Sequence, residues 1–193
     1  MDQRCSPPLH RLQNHSGPIS WGPFATEDEL VEMLTTVGEL PDWQSYAVVV
    51  DDVPLGFCSY LRINAHAGSI EIGGIAFSPA LQRTTAATEA LAMMIANSFE
   101  LSYRRCEWKC DSLNGPSMRA AARLGFNYEG TFAKATHYRG RNRDTAWFAI
   151  TDDAWPSVRV ALDSWLAPGN FDDAGRQRAS LESVRSQRAN ESR

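Results

Sequence analysis

Three short stretches of the 193-residue chain carry side chains able to do chemistry. The polar loop Gln82-Arg83-Thr84-Thr85 stands between an apolar strand that ends at Phe77 and a helix expected to begin near Ala86. A helix start leaves its first backbone N–H groups unpaired and adds partial positive charge, so such a loop can cradle a phosphate. Glu71 is the one carboxylate in the apolar run S-I-E-I-G-G-I-A-F. It can act as a base, or it can pair with Arg62 on the neighbouring strand. Asn114-x-x-Ser117 opens a short helix whose first turn holds Pro116. That pair can cap the helix, or it can offer an amide and a hydroxyl to a ligand.

Further candidates surround these. Tyr128, His137 and Tyr138 fall on a strand after Ser117, and Trp21 and Phe24 precede the first helix. Each can border a binding site or simply pack in the core. Arg139, Arg141 and Arg143 crowd a loop, R-G-R-N-R-D, that can meet an anion or lie in solvent. Among Cys5, Cys58, Cys106 and Cys110 there is no C-x-x-C pair, and the histidines are scattered, which argues against a metal site. Cys106 and Cys110 lie an even number of residues apart on an expected strand and so share one face as buried thiols.

A content of 43% hydrophobic and 10% aromatic residues suits one full-sized domain. The net charge of -4 argues against a general nucleic-acid partner, which would need a basic face. No apolar run approaches the roughly 20 residues of a membrane span, and the first ten residues lack the apolar centre of a signal peptide. The expected setting is therefore cytoplasmic, with no membrane partner.

The elements that must position these residues follow from periodicity. Residues 1–20 read as an irregular lead-in. A helix capped by Thr26, with Glu29 three residues on, carries a stripe of Leu30, Met33, Leu34 and Val37 and stops at Gly38. Three antiparallel strands follow, from Tyr46 to Phe77, turning at Asp51–Pro54 and Asn64–Gly68. In the helix after the polar loop, Ala87, Leu91, Ile95 and Phe99 recur at four-residue steps, with Met94 and Leu101 widening the stripe. Arg104 to Cys110 is a strand that a helix separates from the previous one, so it should pair in parallel through a right-handed crossover. A helix over 116–124 closed by Gly125, a hairpin over 126–150 and a helix over 153–166 complete a domain expected over 21–167. Residues 168–193 form a charged tail or docking helix.

This order of elements resembles the GNAT superfamily of N-acetyltransferases, and two motifs agree with it. Phe77-Ser78-Pro79-x-x-Gln82-x-x-Thr85-x-Ala87 is similar to the superfamily's acetyl-CoA signature, a strand end followed by Q/R-x-x-G-x-G/A. Asn114-x-x-Ser117 before A-A-R-L-G-F resembles the second cofactor motif of the ribosomal-protein N-acetyltransferase branch. The resemblance implies an α/β fold: a mixed central sheet with antiparallel N-terminal strands and a parallel, splayed pair at the cofactor site. It implies acetyl-CoA as co-substrate, no metal, and a primary amine as acceptor, on a small molecule or a protein N-terminus. It also implies a possible homodimer through the last strands. By resemblance the pyrophosphate rests on backbone N–H groups of Arg83, Thr84, Thr85, Ala86 and Ala87 beside Gln82 and the Thr88 hydroxyl. The pantetheine arm runs along Ile75 and Phe77, and Asn114 orients it. Glu71 is implied as the base, acting through water, and Ser117 as the group near the CoA sulfur. Trp21, Phe24, Gly74, Tyr128 and His137 would line the acceptor site.

Two departures accompany the resemblance. Thr85 replaces a glycine, which puts an ordinary backbone conformation and a hydroxyl where the relatives have a flexible residue. The segment before Trp21 is too short for the strand and helix with which relatives begin, so one wall of the acceptor pocket is expected to be incomplete or supplied by a partner subunit. Gly74 and Ala76, where relatives tend to carry larger side chains, suggest a roomy cleft.

Overall fold

The computed structural model describes residues 26–138 and 140–191. Trp21, Phe24, Cys5, Arg139 and the expected lead-in over 1–20 lie outside them. Apolar alternation produces six strands: β1 (Trp43–Val50), β2 (Val53–Asn64), β3 (Ser69–Phe77), β4 (Arg105–Asp111), β5 (Asn127–Tyr138) and β6 (Arg141–Thr151). Among the described residues they form one sheet in the order β1-β2-β3-β4-β6-β5, in which β3 and β4 pair in parallel and the other neighbours antiparallel. This is the mixed α/β sheet expected. The helices are α1 (Glu27–Gly38), α2 (Thr85–Glu100), α3 (Gly115–Leu124), α4 (Trp155–Leu166) and α5 (Leu181–Glu191).

Local chemistry sets the ends of these helices. Thr26 caps α1 by accepting from the Glu29 N–H, and Gly125 closes α3 with φ 105, a conformation that costs glycine little. Of the α2 stripe, Ala87, Leu91, Met94 and Ile95 are buried and Phe99 packs against the core. Leu101 does not widen that stripe: it sits past the helix end, in the cap, and is 59% exposed. Tyr60, buried in β2, fastens the sheet to α2 by donating its hydroxyl to the Met94 carbonyl and accepting from Asn97 Nδ2.

The final hairpin is tighter than R-G-R-N-R-D suggests. Tyr138 pairs with Arg141, so only two residues connect the strands, and Gly140 at φ 73 supplies the positive φ that such turns require. Arg141 and Arg143 consequently belong to β6 rather than to a loop.

A ladder of alternating charges crosses the sheet. Arg62 Nη1 reaches Glu71 Oε2 at 2.7 Å, Lys109 Nζ reaches the same oxygen at 2.9 Å, and Lys109 also meets Glu107 Oε2 at 2.6 Å. Arg105 continues it, from Glu107 to a two-pronged pair with Glu129. Lys109 also lies 3.8 Å from the centre of the Trp147 ring. With a side chain only 9% exposed, Lys109 depends on these partners, since an unpaired ammonium would be costly to bury. Burial opposes the charge of Glu107, but hydrogen bonds from Arg105 and Lys109 outweigh it and hold the carboxyl below the usual glutamate range. The Arg105 hydrogen bond does the same for the more exposed Glu129.

The C-terminal segment is built into the same core. Phe171 meets the Trp165 ring edge-on, Asn170 Nδ2 donates to the carbonyls of Trp165 and Ala179, and Leu181 is 1% exposed within the apolar cluster. Leu181→Ala is expected to cost about 3 kcal/mol in chemical denaturation, as for a buried leucine, while Val160→Ala on the open face of α4 should cost under about 0.5 kcal/mol. The ladder predicts a pH effect as well. Because the folded carboxyls of Glu107 and Glu129 sit low, the unfolded chain binds protons that the folded chain refuses, and their stabilisation disappears as pH falls through and below the glutamate range. Glu107→Gln should therefore be about 2 kcal/mol less stable than the parent near pH 7, with the gap closing toward pH ~3.

Candidate active site

The parallel pairing of β3 with β4 covers three positions only: Ser69 with Arg105, Ile70 with Cys106 and Glu71 with Glu107. Beyond them both strands continue, β3 to Phe77 and β4 to Asp111, while β3 keeps its other edge on β2 as far as the pair Gly56–Phe77. Gly74 has φ 55, a conformation an L side chain resists, and lies where β3 parts from β4. The inner edges of the two strands thus open into a cleft of about 2200 Å³.

The polar loop and the start of α2 form one wall of that cleft. The positive φ expected of a signature glycine falls on Arg83, at 64°, and not on Thr85, which is the first residue of the helix. Thr84 is the cap, accepting from the Ala87 N–H at 3.1 Å, and the Thr84 N–H bonds the Leu81 carbonyl. Of the five N–H groups from Arg83 to Ala87, those two are consumed internally; Arg83, Thr85 and Ala86 keep theirs for an anion. Gln82 Nε2 donates to the Phe77 carbonyl and braces the loop on the strand end. Thr88 Oγ1 accepts from Arg123 Nη1 at 3.1 Å, and the same guanidinium lies 4.8 Å from the centre of the Trp165 ring. Arg83, Arg119 and Arg123 all line the cleft, and among the described residues no carboxylate pairs with them. The donor set suits a phosphate-rich ligand.

On the opposite wall, Asn114 Oδ1 accepts from the Ser117 N–H at 3.1 Å, so the pair does cap α3. The Ser117 hydroxyl is engaged separately: it accepts from Trp108 Nε1 at 3.0 Å and is hydrogen-bonded to the Cys110 thiol. With the indole N–H on its oxygen, the hydroxyl is orientated and half-buried at the cleft surface. Burial pushes the Cys110 thiol up, while Ser117 opposes that shift. The other two described cysteines are inert by the same cause, since burial raises Cys58 to about 11 and Cys106 to about 12.

Glu71 is 3% exposed at the point of divergence. Both of its cations meet Oε2, whereas Oε1 lies 3.5 Å from where a Cβ on Gly73 would stand. The expected pairing with Arg62 is present, and Arg62 reaches it from a bulged position in β2 with φ 50.

The structure thus brings Glu71, Gly74, Ile75, Phe77, Gln82, Arg83, Thr84, Thr85, Ala87, Thr88, Asn114 and Ser117 to one cleft. Ala86, Tyr128 and His137 do not line it; Tyr128 is 56% exposed and shares a hydrogen bond with Thr131. Sequence reasoning passed over Trp108, Lys109, Arg119, Arg123 and Trp147. Arg119 and Arg123 lie four residues apart in the helix that holds Ser117 and were open to detection as a cationic helix face, but the partners of Lys109 and Trp147 come from distant strands. Among the described residues no cluster of His, Cys, Asp and Glu could hold a metal ion, and no helix is long and apolar enough to cross a membrane.

A family model described as an acetyltransferase (GNAT) domain matches residues 6–127. A GCN5-related N-acetyltransferase from Brucella melitensis is 40% identical with TM-score 0.82, over 90% of this chain and 80% of that one. A protein from Chromobacterium violaceum assigned to the GNAT family is 41% identical with TM-score 0.66, over 75% of this chain and 81% of that one. A variant of the spermidine N-acetyltransferase of Vibrio cholerae shares the fold at 21% identity and TM-score 0.57, over 74% of this chain and 87% of that one. No curated protein matches the chain. On the family model and on its likeness to the Brucella protein, with the splayed strands and capped helix start beside them, the chain belongs to the GNAT acetyltransferase family.

Proposed function

We propose that the chain is an acetyl-CoA-dependent N-acetyltransferase that acts on a primary amine, of a small molecule or of a protein N-terminus, by direct attack and without a metal. The observation that carries this reading is the opening of β3 from β4 beside a helix start with free N–H groups, with Glu71 and Ser117 lining the same cleft. Bound acetyl-CoA would supply an acetyl group activated as a thioester. In this reading the β3 edge at Ile75 and Phe77 pairs with the pantetheine arm. The N–H groups of Arg83 and Thr85, which line the cleft, take the pyrophosphate, and Arg119 and Arg123 add charge for the remaining phosphate. A new C–N bond forms as the C–S bond breaks. Glu71 Oε1, over Gly73, receives the proton of the attacking amine through water, and the Ser117 hydroxyl donates one to the leaving sulfur and regains it from solvent as Glu71 releases its own. The strings Glu107-Trp108-Lys109-Cys110-Asp111 and Asn114-x-x-Ser117 support placing the chain in the ribosomal-protein N-acetyltransferase branch.

Calorimetric titration with acetyl-CoA, followed by free-thiol release over an amine panel, tests this. Saturable binding with thiol release on at least one amine is expected. Binding without release on any amine would instead assign a CoA-binding module, and absence of binding would remove both. Ser117→Ala should lower kcat by roughly 10- to 100-fold with CoA affinity nearly intact, in line with the loss of one general acid. An unchanged rate removes Ser117 from the chemistry.

A further inference from the structure

The β5–β6 side of the cleft has a polar character that the acetyl-transfer reading does not use. Phe132, Ala135, Thr136, Arg143, Thr145 and Trp147 line it. Cross-strand register explains why they face together: Trp147 stands opposite Lys109, Thr145 opposite Asp111 and Phe132, and Arg143 opposite Thr136. Among the described residues, the Trp147 indole nitrogen and the Thr136 hydroxyl are buried with no hydrogen-bond partner. An indole N–H can only donate, so Trp147 lacks an acceptor, and buried polar atoms of this kind are normally satisfied. Arg143 brings positive charge to the same wall, close enough to Cys110 to favour that residue's thiolate. Lys109 covers the Trp147 ring but gives its ammonium to Glu71 and Glu107. This wall therefore offers two unsatisfied donors beside a positive charge.

We propose that the acceptor bears a carboxylate beside its amine, held by Trp147 Nε1 and Thr136 Oγ1 on the wall to which Arg143 brings positive charge, so that the substrate is an amino acid or a close relative. The inference rests on the acetyltransferase reading of the cleft and adds the acceptor class. Lys109 Nζ is 2.9 Å from Glu71 and 3.8 Å from the centre of the Trp147 ring, so the proposed base and the indole lie within the reach of one short bifunctional molecule. An amine directed at Glu71 and a carboxylate directed at Trp147 would give each group its complementary charge or donor.

The test assays amino acids, each beside its carboxamide and its decarboxylated amine, with acetyl-CoA as donor. Carboxylate-bearing acceptors should show kcat/KM at least about tenfold above both analogues, mostly through KM. Trp147→Phe, which keeps a ring beneath Lys109, and Thr136→Val, which keeps the shape, should each shrink that preference severalfold by weakening the carboxylates more than the bare amines. Equal rates on carboxamides, a preference for decarboxylated amines, or a preference undiminished in both variants would overturn the proposal. If no amine of any kind is acetylated, the acetyltransferase reading fails, and titration with N-acetyl amino acids then decides the subsite separately. Saturable binding weakened by Trp147→Phe upholds it, and no binding sinks it.

Discussion

Three residue pairs join β3 to β4, and the cleft exists because the pairing stops there. Parallel strands that share hydrogen bonds along their whole length would satisfy each other and leave no backbone edge for a ligand. Gly74 lets β3 adopt a positive φ where it leaves its partner, and β4 is drawn the other way by its own complete pairing with β6 from Arg105 to Asp111. Each strand stays anchored on its outer side, so the separation is local and the sheet remains continuous on both flanks. The polar loop, α3 and the β5–β6 hairpin all face the resulting gap.

Holding the gap in shape falls to charged side chains as much as to apolar ones. Lys109 is buried at the divergence, and two carboxylates together with the face of Trp147 replace the water it has lost. The ladder from Arg62 to Glu129 fixes Glu71 in one orientation, with one oxygen committed to cations and the other toward Gly73. A carboxylate so restrained is pre-organised, which favours a role needing fixed geometry over one needing mobility.

The loop before α2 illustrates how one backbone requirement can be met by a different residue. Thr85 could not take the left-handed conformation of a glycine without strain; it is helical instead, and Arg83 takes the positive φ. Thr84 then caps the helix, which consumes the Ala87 N–H but leaves three donors of the loop unpaired. The cradle thus survives the loss of its glycine with a smaller set of donors and with cations from α3 beside it.

Much of this was legible in the residues themselves. The order of strands and helices, the caps at Thr26 and Gly125, the buried faces of Cys106 and Cys110, and the candidate pair Asn114 and Ser117 depend on periodicity and on neighbours within a few positions. Leu101 and the Arg141–Arg143 segment were misread because a helix end and a hairpin turn are decided within one or two residues, below the resolution of a periodic pattern. Only the tertiary structure decided that Glu71 shares Lys109 with Glu107, that Trp108 orients Ser117, and that the Trp147 indole nitrogen and the Thr136 hydroxyl lie buried without hydrogen-bond partners. These are contacts between strands brought together by the sheet. Local sequence specifies which face a residue takes, whereas register and the point where two strands part are set by the packing of the whole domain.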